Sequence, residues 1–76
     1  MDDVNRTIDA RGQKCPMPVL LVAKAAKEMQ SGELVRLEAT DGGARSDIPA
    51  WASQTGNEIV SSSESDGVLT FTIRKK

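Results

Sequence analysis

The sequence of 76 residues contains no histidine and a single cysteine, Cys15. A zinc site or an iron–sulfur cluster needs several thiolate or imidazole ligands, so the composition excludes both. An internal disulfide, a Cys-His dyad and a Cys-x-x-Cys redox pair are excluded for the same reason. We therefore predict neither a metal nor a cofactor. Tyrosine is also absent, and Trp51 and Phe71 are the only aromatic residues, so we interpret Trp51 as a core residue.

The net charge of −1 shows no surplus of either sign. A general nucleic-acid-binding protein is expected to carry a basic surplus, so we predict no direct binding to nucleic acid. No apolar run is long enough to cross a membrane, and we expect no signal peptide before the acidic pair Asp2 and Asp3. The length is that of one small domain over residues 1–76. An unpaired thiol stays reduced in the cytoplasm, which is the expected compartment.

The only cysteine lies in the sequence Cys15-Pro16-Met17-Pro18, where a polar loop meets an apolar run. A residue before proline is pushed towards an extended conformation, and proline is tolerated in the first turn of a helix. We therefore predict that Cys15 is the N-cap, that Pro16 begins the helix, and that the Met17 N–H group faces the Cys15 side chain. The positive end of the helix dipole and the basic residues Lys14 and Arg11 would then favour a thiolate.

The alternative is a buried structural cysteine, because free cysteines are often buried. Residues 11–14 before Cys15 are polar and basic rather than apolar. This environment favours an accessible, reactive thiol over a core residue.

The hydrophobic pattern predicts the order strand, helix, strand, helix, strand, strand. The predicted bounds are 4–9, 16–30, 33–39, 44–55, 58–63 and 68–74, with a hairpin turn over 64–67. Pro49 lies inside the second helical segment, so that helix either begins near Asp47 or Ile48 or is bent in its first turns. A right-handed crossover makes the first two strands parallel. We predict a two-layer α/β sandwich, with two helices on one face of a four-stranded mixed sheet and the other face polar.

Helical spacing places several apolar residues of the first helix on one core-facing side, namely Val19, Val22, Ala23, Ala26 and Met29. Leu21 is predicted to lie nearly opposite this side. It is either an ordinary exposed leucine or part of a partner-docking patch with Met17 and Lys24. In the last strand, Leu69, Phe71 and Ile73 are predicted to face the helices.

The chain resembles the TusA/SirA family of small sulfur carrier proteins. The match is carried by residues 9–18, which read Asp-Ala-Arg-Gly-Gln-Lys-Cys-Pro-Met-Pro, and by residues 39–41 and 47–51 followed by Gly56. Gly42 departs from the family, in which many members have proline after the aspartate. The resemblance implies that Cys15 carries sulfur as a persulfide. It also implies a cysteine desulfurase or rhodanese-type donor and a downstream acceptor protein, in tRNA thiolation, cofactor synthesis or sulfur metabolism.

Two other classes of function are alternatives to the carrier role, one without a role for the thiol and one that uses it. One is an interaction domain that recruits a partner through its first helix, with Cys15 incidental. The other is a redox sensor that forms a mixed disulfide or a sulfenic acid. A carrier needs one accessible, nucleophilic sulfur, no resolving cysteine to expel the cargo and no acid–base machinery to hydrolyse it. The sequence has a single cysteine and no histidine, which fits these needs. We therefore interpret the protein as a carrier rather than as an enzyme that turns over substrate by itself.

Overall fold

The computed structural model describes residues 4–14 and 16–76. The order of elements is the predicted one. Their bounds are β1 Arg6–Ala10, α1 Met17–Lys27, β2 Leu34–Ala39, α2 Ala44–Thr55, β3 Glu58–Ser65 and β4 Val68–Arg74.

The four strands form one mixed sheet in the order β1-β2-β4-β3. Strand β2 pairs in parallel with β1 and antiparallel with β4, and β4 pairs antiparallel with β3. Helix α1 packs on β1 and β2, helix α2 packs on β3 and β4, and the helices contact each other. The predicted two-layer α/β sandwich is confirmed.

The two central strands supply alternate apolar residues to a core beneath the helices. These are Val35, Leu37 and Ala39 from β2 with Leu69, Phe71 and Ile73 from β4, each at most 5% exposed. Leu37 stands opposite Phe71 in the antiparallel register, so the two strands present their apolar sides to the same layer. The predicted orientation of β4 is confirmed. The opposite sheet face carries polar residues, including Arg36, Glu38 and Thr70.

Helix α1 is shorter than the predicted range 16–30. It begins at Met17 and ends at Lys27. The next two N–H groups, of Glu28 and Met29, donate to carbonyl oxygens only three residues earlier, at 3.0 and 3.1 Å. This tighter bonding closes the helix end and leaves Met29 buried just beyond it. The predicted helical residues 28–30 therefore lie outside the α-helix.

Helix α2 begins at Ala44 despite the proline at position 49. The N–H group of Asp47 donates to the Gly43 carbonyl oxygen at 2.9 Å, so the first turn is formed and a start near Asp47 is excluded. The hydrogen bond that Pro49 cannot donate would end on the Arg45 carbonyl. Both residues are exposed, so water can solvate that oxygen.

The turn between β3 and β4 consists of Asp66 and Gly67 alone, with φ angles of 52° and 79°. Positive φ at both central residues is what a tight two-residue hairpin of right-handed twist requires. Because the turn needs only these residues, β3 extends to Ser65, two residues beyond its predicted end.

Candidate functional site

The segment that carries the cysteine connects β1 to α1, and we call residues 11–14 and 16 the thiol loop. Position 15 itself lies outside the described residues, so the predicted N-cap role of its side chain has no structural description. The Gln13 N–H group donates to the Ala10 carbonyl oxygen at 3.1 Å, and Gly12 has a φ of +81°. The Gly12 N–H group donates to Oγ1 of Thr40 at 2.8 Å. The thiol loop is therefore anchored at the carboxyl ends of the parallel strands β1 and β2, where α/β sheets place their ligands.

The start of α1 differs from the prediction by one residue. Pro16 occupies the N-cap position, with φ −97° and ψ 18°, and Met17 is the first helical residue. The Met17 N–H group donates to the Lys14 carbonyl oxygen at 2.8 Å. This N–H group therefore has a backbone acceptor, and the predicted contact with the Cys15 side chain lies outside the described residues. Pro18 is buried in the first helical turn.

Arg11 is held by the last part of β1. Its Nε and Nη2 atoms donate to the two carboxylate oxygens of Asp9 at 2.9 and 3.0 Å, and its backbone N–H donates to the same carboxylate at 3.1 Å. These hydrogen bonds lower the pKa of Asp9 from 3.8 to about 2 and raise the pKa of Arg11. The Arg11 charge is therefore neutralised by Asp9, two residues earlier in the chain, and the sequence pattern does not predict this ion pair.

Lys14 is the second basic residue of the thiol loop, and its side chain is exposed. It forms no ion pair with any residue in the described ranges 4–14 and 16–76. With Gly12, Gln13, Thr40 and Asp41 it lines an open cleft of about 250 Å³ at the strand ends. The ammonium group of Lys14 is thus available to an anion beside the loop.

The face of α1 next to the loop differs from the prediction at one residue. Leu21 is half-buried and packs against the core, so its predicted position opposite the core is wrong. It lies three residues after Pro18 and four before Ala25, and both of these are buried. Reading Pro18 as a core residue would have placed Leu21 correctly.

The exposed apolar residues of this face are Met17 and Leu20, at 39% and 55% exposure. Lys24 follows them on the same side and is exposed, as predicted. Met17, Leu20 and Lys24 form a stripe that leads away from the thiol loop, and we call it the helix stripe.

Trp51 on α2 is half-buried and packs against the core, as interpreted from the sequence. It also lines a shallow groove of about 320 Å³ between the two helices, together with Pro16 and Val19. The sequence alone gave no sign of this groove, because its sides come from helices that meet only in the fold.

The described part of the chain contains no group of three side chains placed to hold a metal ion. Within the same residues, no helix combines the length and the apolar character needed to span a membrane.

A two-layer α/β sandwich that joins its first strand to its first helix through a Cys-Pro-x-Pro sequence has the build of the small sulfur carrier proteins. The chain belongs to the TusA family, because the family model described as sulfurtransferase TusA matches residues 6–75. The predicted family resemblance is confirmed.

Individual proteins support the assignment. The chain is 41% identical over 75 residues to the sulfur carrier protein TusA of Allochromatium vinosum, covering 99% of each protein. It is 43% identical over 72 residues to a protein of Neisseria meningitidis serogroup A whose name marks it as a candidate sulfur carrier, covering 95% of this chain and 97% of that one. The crystal structure of a SirA-like protein from Desulfitobacterium hafniense superposes with a TM-score of 0.82 at 34% identity, covering 91% of this chain and 95% of that one.

Proposed function

We propose that the protein is a sulfur carrier that receives a sulfur atom on Cys15, holds it as a persulfide and passes it to an acceptor protein. One observation carries the proposal: the only cysteine of a TusA-family chain stands between Lys14 and Pro16, which are both exposed, in a loop anchored at the sheet's carboxyl edge. We expect a thiol between two exposed residues to be within reach of a second protein. The family membership and the sulfur-carrier relatives support this role.

The transfer chemistry requires one nucleophilic sulfur on each partner. The Cys15 thiolate attacks the terminal sulfur of the donor's persulfide, a new S–S bond forms, and the donor cysteine leaves as a thiolate. In the second step the acceptor's thiolate attacks the terminal sulfur on Cys15, and Cys15 leaves as the thiolate. Each step exchanges one S–S bond for another, so no outside oxidant or reductant is consumed.

The composition protects the cargo between the two steps. A second cysteine in the chain could attack the persulfide and release the terminal sulfur as hydrosulfide, but the sequence contains no other cysteine. It also contains no histidine that could activate water. These features suit a protein that carries sulfur between partners.

The partners must bring their own cysteine to the thiol loop. We assign their docking surface to the helix stripe, because it begins two residues after Cys15 and combines two exposed apolar side chains with a lysine. It extends about 10 Å along α1 from Met17 to Lys24. This docking surface contains Leu20 in place of the predicted Leu21, which packs against the core. A cysteine desulfurase or a rhodanese-type sulfurtransferase is the donor class that fits, and the acceptor needs a reactive thiol. We place this relay in the cytoplasm, where an unpaired thiol stays reduced.

Intact-mass spectrometry tests the carrier role. After incubation with a cysteine desulfurase and free cysteine, the protein should gain the mass of one sulfur atom, and dithiothreitol should remove it. Cys15→Ser should gain no mass and should keep the far-ultraviolet circular dichroism of the parent, because the substitution is nearly isosteric. A matched control is Cys15→Ser combined with Ser53→Cys, which moves the thiol to an exposed site on α2.

The control variant should react with polysulfide but not with the desulfurase. Sulfur gain by Cys15→Ser would contradict the proposal. Equal loading of the control and the parent by the desulfurase would show that any exposed thiol suffices.

A further inference from the structure

The thiol loop carries two basic side chains that the structure treats differently. The Arg11 guanidinium is bound at two points by the Asp9 carboxylate, and the loop backbone adds a third bond to the same group. Lys14 has no ion-pair partner in the described residues and lines the cleft at the strand ends. Asp9 itself belongs to β1 and pairs with Glu38 of β2, so the carboxylate that holds Arg11 is built on the sheet.

We propose that Asp9 is a positioning residue that holds the Arg11 guanidinium back at the end of β1, so that Lys14 supplies the side-chain positive charge acting on sulfur at Cys15. This inference rests on the proposed role of Cys15 as the sulfur-bearing residue. It concerns how the chain tunes that sulfur, rather than which partner delivers it.

The reason for holding Arg11 follows from thiolate chemistry. A nearby cation increases the fraction of thiolate, but the nucleophilicity of a thiolate falls as the pKa of its thiol falls. A sulfur paired with both Arg11 and Lys14 would be more fully ionised and less reactive. With Arg11 bound by Asp9, the thiol gains moderate acidity from one lysine and keeps more of its nucleophilic strength.

Other charged groups lie around the loop and stay in place in the proposed arrangement. Glu38 on β2 adds to the attraction that holds Arg11. Asp41, two residues after the end of β2, lines the cleft with Lys14. Asp47, on α2, lines the groove that contains Pro16. These three carboxylates are common to all variants in the test below, so differences between variants report on Asp9 and Arg11.

The test is a double-mutant cycle read by the pH dependence of Cys15 alkylation with iodoacetamide. The variants are Asp9→Asn, Arg11→Gln and the combination of both, with Asp9→Glu as the conservative variant. Introduced alone into the parent protein, Arg11→Gln should move the alkylation midpoint by less than about 0.2 pH unit. In the Asp9→Asn background the same substitution should raise the midpoint by about 0.5 pH unit, which corresponds to a Coulomb energy of about 0.7 kcal/mol for one nearby charge in water.

The absolute rates give a second signature. The Asp9→Asn substitution releases the Arg11 guanidinium. The alkylation midpoint of this variant should therefore lie below that of the parent protein. Its plateau rate, reached when the thiol is fully ionised, should also fall, by about 1.7-fold for a shift of 0.5 unit. Asp9→Glu keeps a carboxylate beside Arg11 and should restore most of the parent midpoint. Asp9 and Arg11 are exposed, so circular dichroism should show that each variant folds.

If Arg11→Gln shifted the midpoint equally in the parent and in the Asp9→Asn variant, the proposal would be overturned. The effect of Arg11 on the thiol would then not depend on Asp9. A midpoint for Asp9→Asn at or above that of the parent would overturn it as well. The assay uses the free thiol and no sulfur donor. If the parent failed to take up sulfur, the carrier role would be wrong while the cycle would still report whether Asp9 positions Arg11.

Discussion

Adjacent leucines on α1 offer the sharpest test of the helix stripe. Leu20 is 55% exposed, whereas Leu21 is half-buried against the core. Replacing either by aspartate costs helix propensity of about 0.5 kcal/mol, and this cost is shared by both variants. Leu21→Asp also loses the apolar contact, about half of the 1.5–3 kcal/mol expected for a fully buried leucine, and it places a carboxylate beside the core. We expect about 0.5 kcal/mol of destabilisation for Leu20→Asp and about 2 kcal/mol for Leu21→Asp.

Thermal unfolding followed by circular dichroism measures the difference. For a domain of this size about 1 kcal/mol corresponds to about 4–8 °C, so Leu20→Asp should lower the melting temperature by about 3 °C and Leu21→Asp by about 8–16 °C. Sulfur uptake is then measured on Leu20→Asp with two donors. Loading by inorganic polysulfide should be unchanged, and loading by a cysteine desulfurase should slow. Equal destabilisation by the two substitutions would refute the assigned helix face, and equal loading rates with both donors would remove Leu20 from the docking surface.

Two further predictions concern the anchors of the thiol loop. The carboxylate of Asp9 should titrate near pH 2 in the folded protein, and because this pKa lies below its ordinary value of 3.8, the bond to Arg11 contributes stability above about pH 4 that is lost as the pH falls towards 2. The carboxyl carbon shift in nuclear magnetic resonance measures this, and a midpoint near 3.8 would show that the ion pair is absent in solution. Thr40→Val removes the acceptor of the Gly12 N–H group and should speed hydrogen exchange at that amide, whereas Thr40→Ser should keep the parent rate. Unchanged exchange in Thr40→Val would mean that this bond does not protect the loop.

The fold could be predicted because each element has a local pattern that agrees with its packing. The alternation around Leu37 and Phe71 identifies two strands with one apolar side each, and the Asp66-Gly67 pair specifies the hairpin between β3 and β4. The errors fall at element ends. The last turn predicted for α1 is replaced by shorter hydrogen bonds, and those depend on the way the chain turns towards β2.

The site was predictable in its residues and less so in its contacts. The sequence identified the Cys-Pro-x-Pro segment and the basic residues before it, since these are adjacent in the chain. It did not show that Arg11 is bound by Asp9, because either basic residue could have faced the sulfur. The orientation of Leu21 was missed because the apolar side of α1 contacts both the sheet and α2, and is wider than a simple helical stripe.

The position of β4 has a consequence for synthesis of the protein. This strand is the last of the four along the chain but lies inside the sheet, between β2 and β3. Until residues 68–74 are available, neither β2 nor β3 has its antiparallel partner, and the core lacks Leu69, Phe71 and Ile73. A nascent chain on the ribosome would therefore expose Cys15 long before it could fold. Folding of the sheet should therefore be completed only when the fourth strand inserts between β2 and β3.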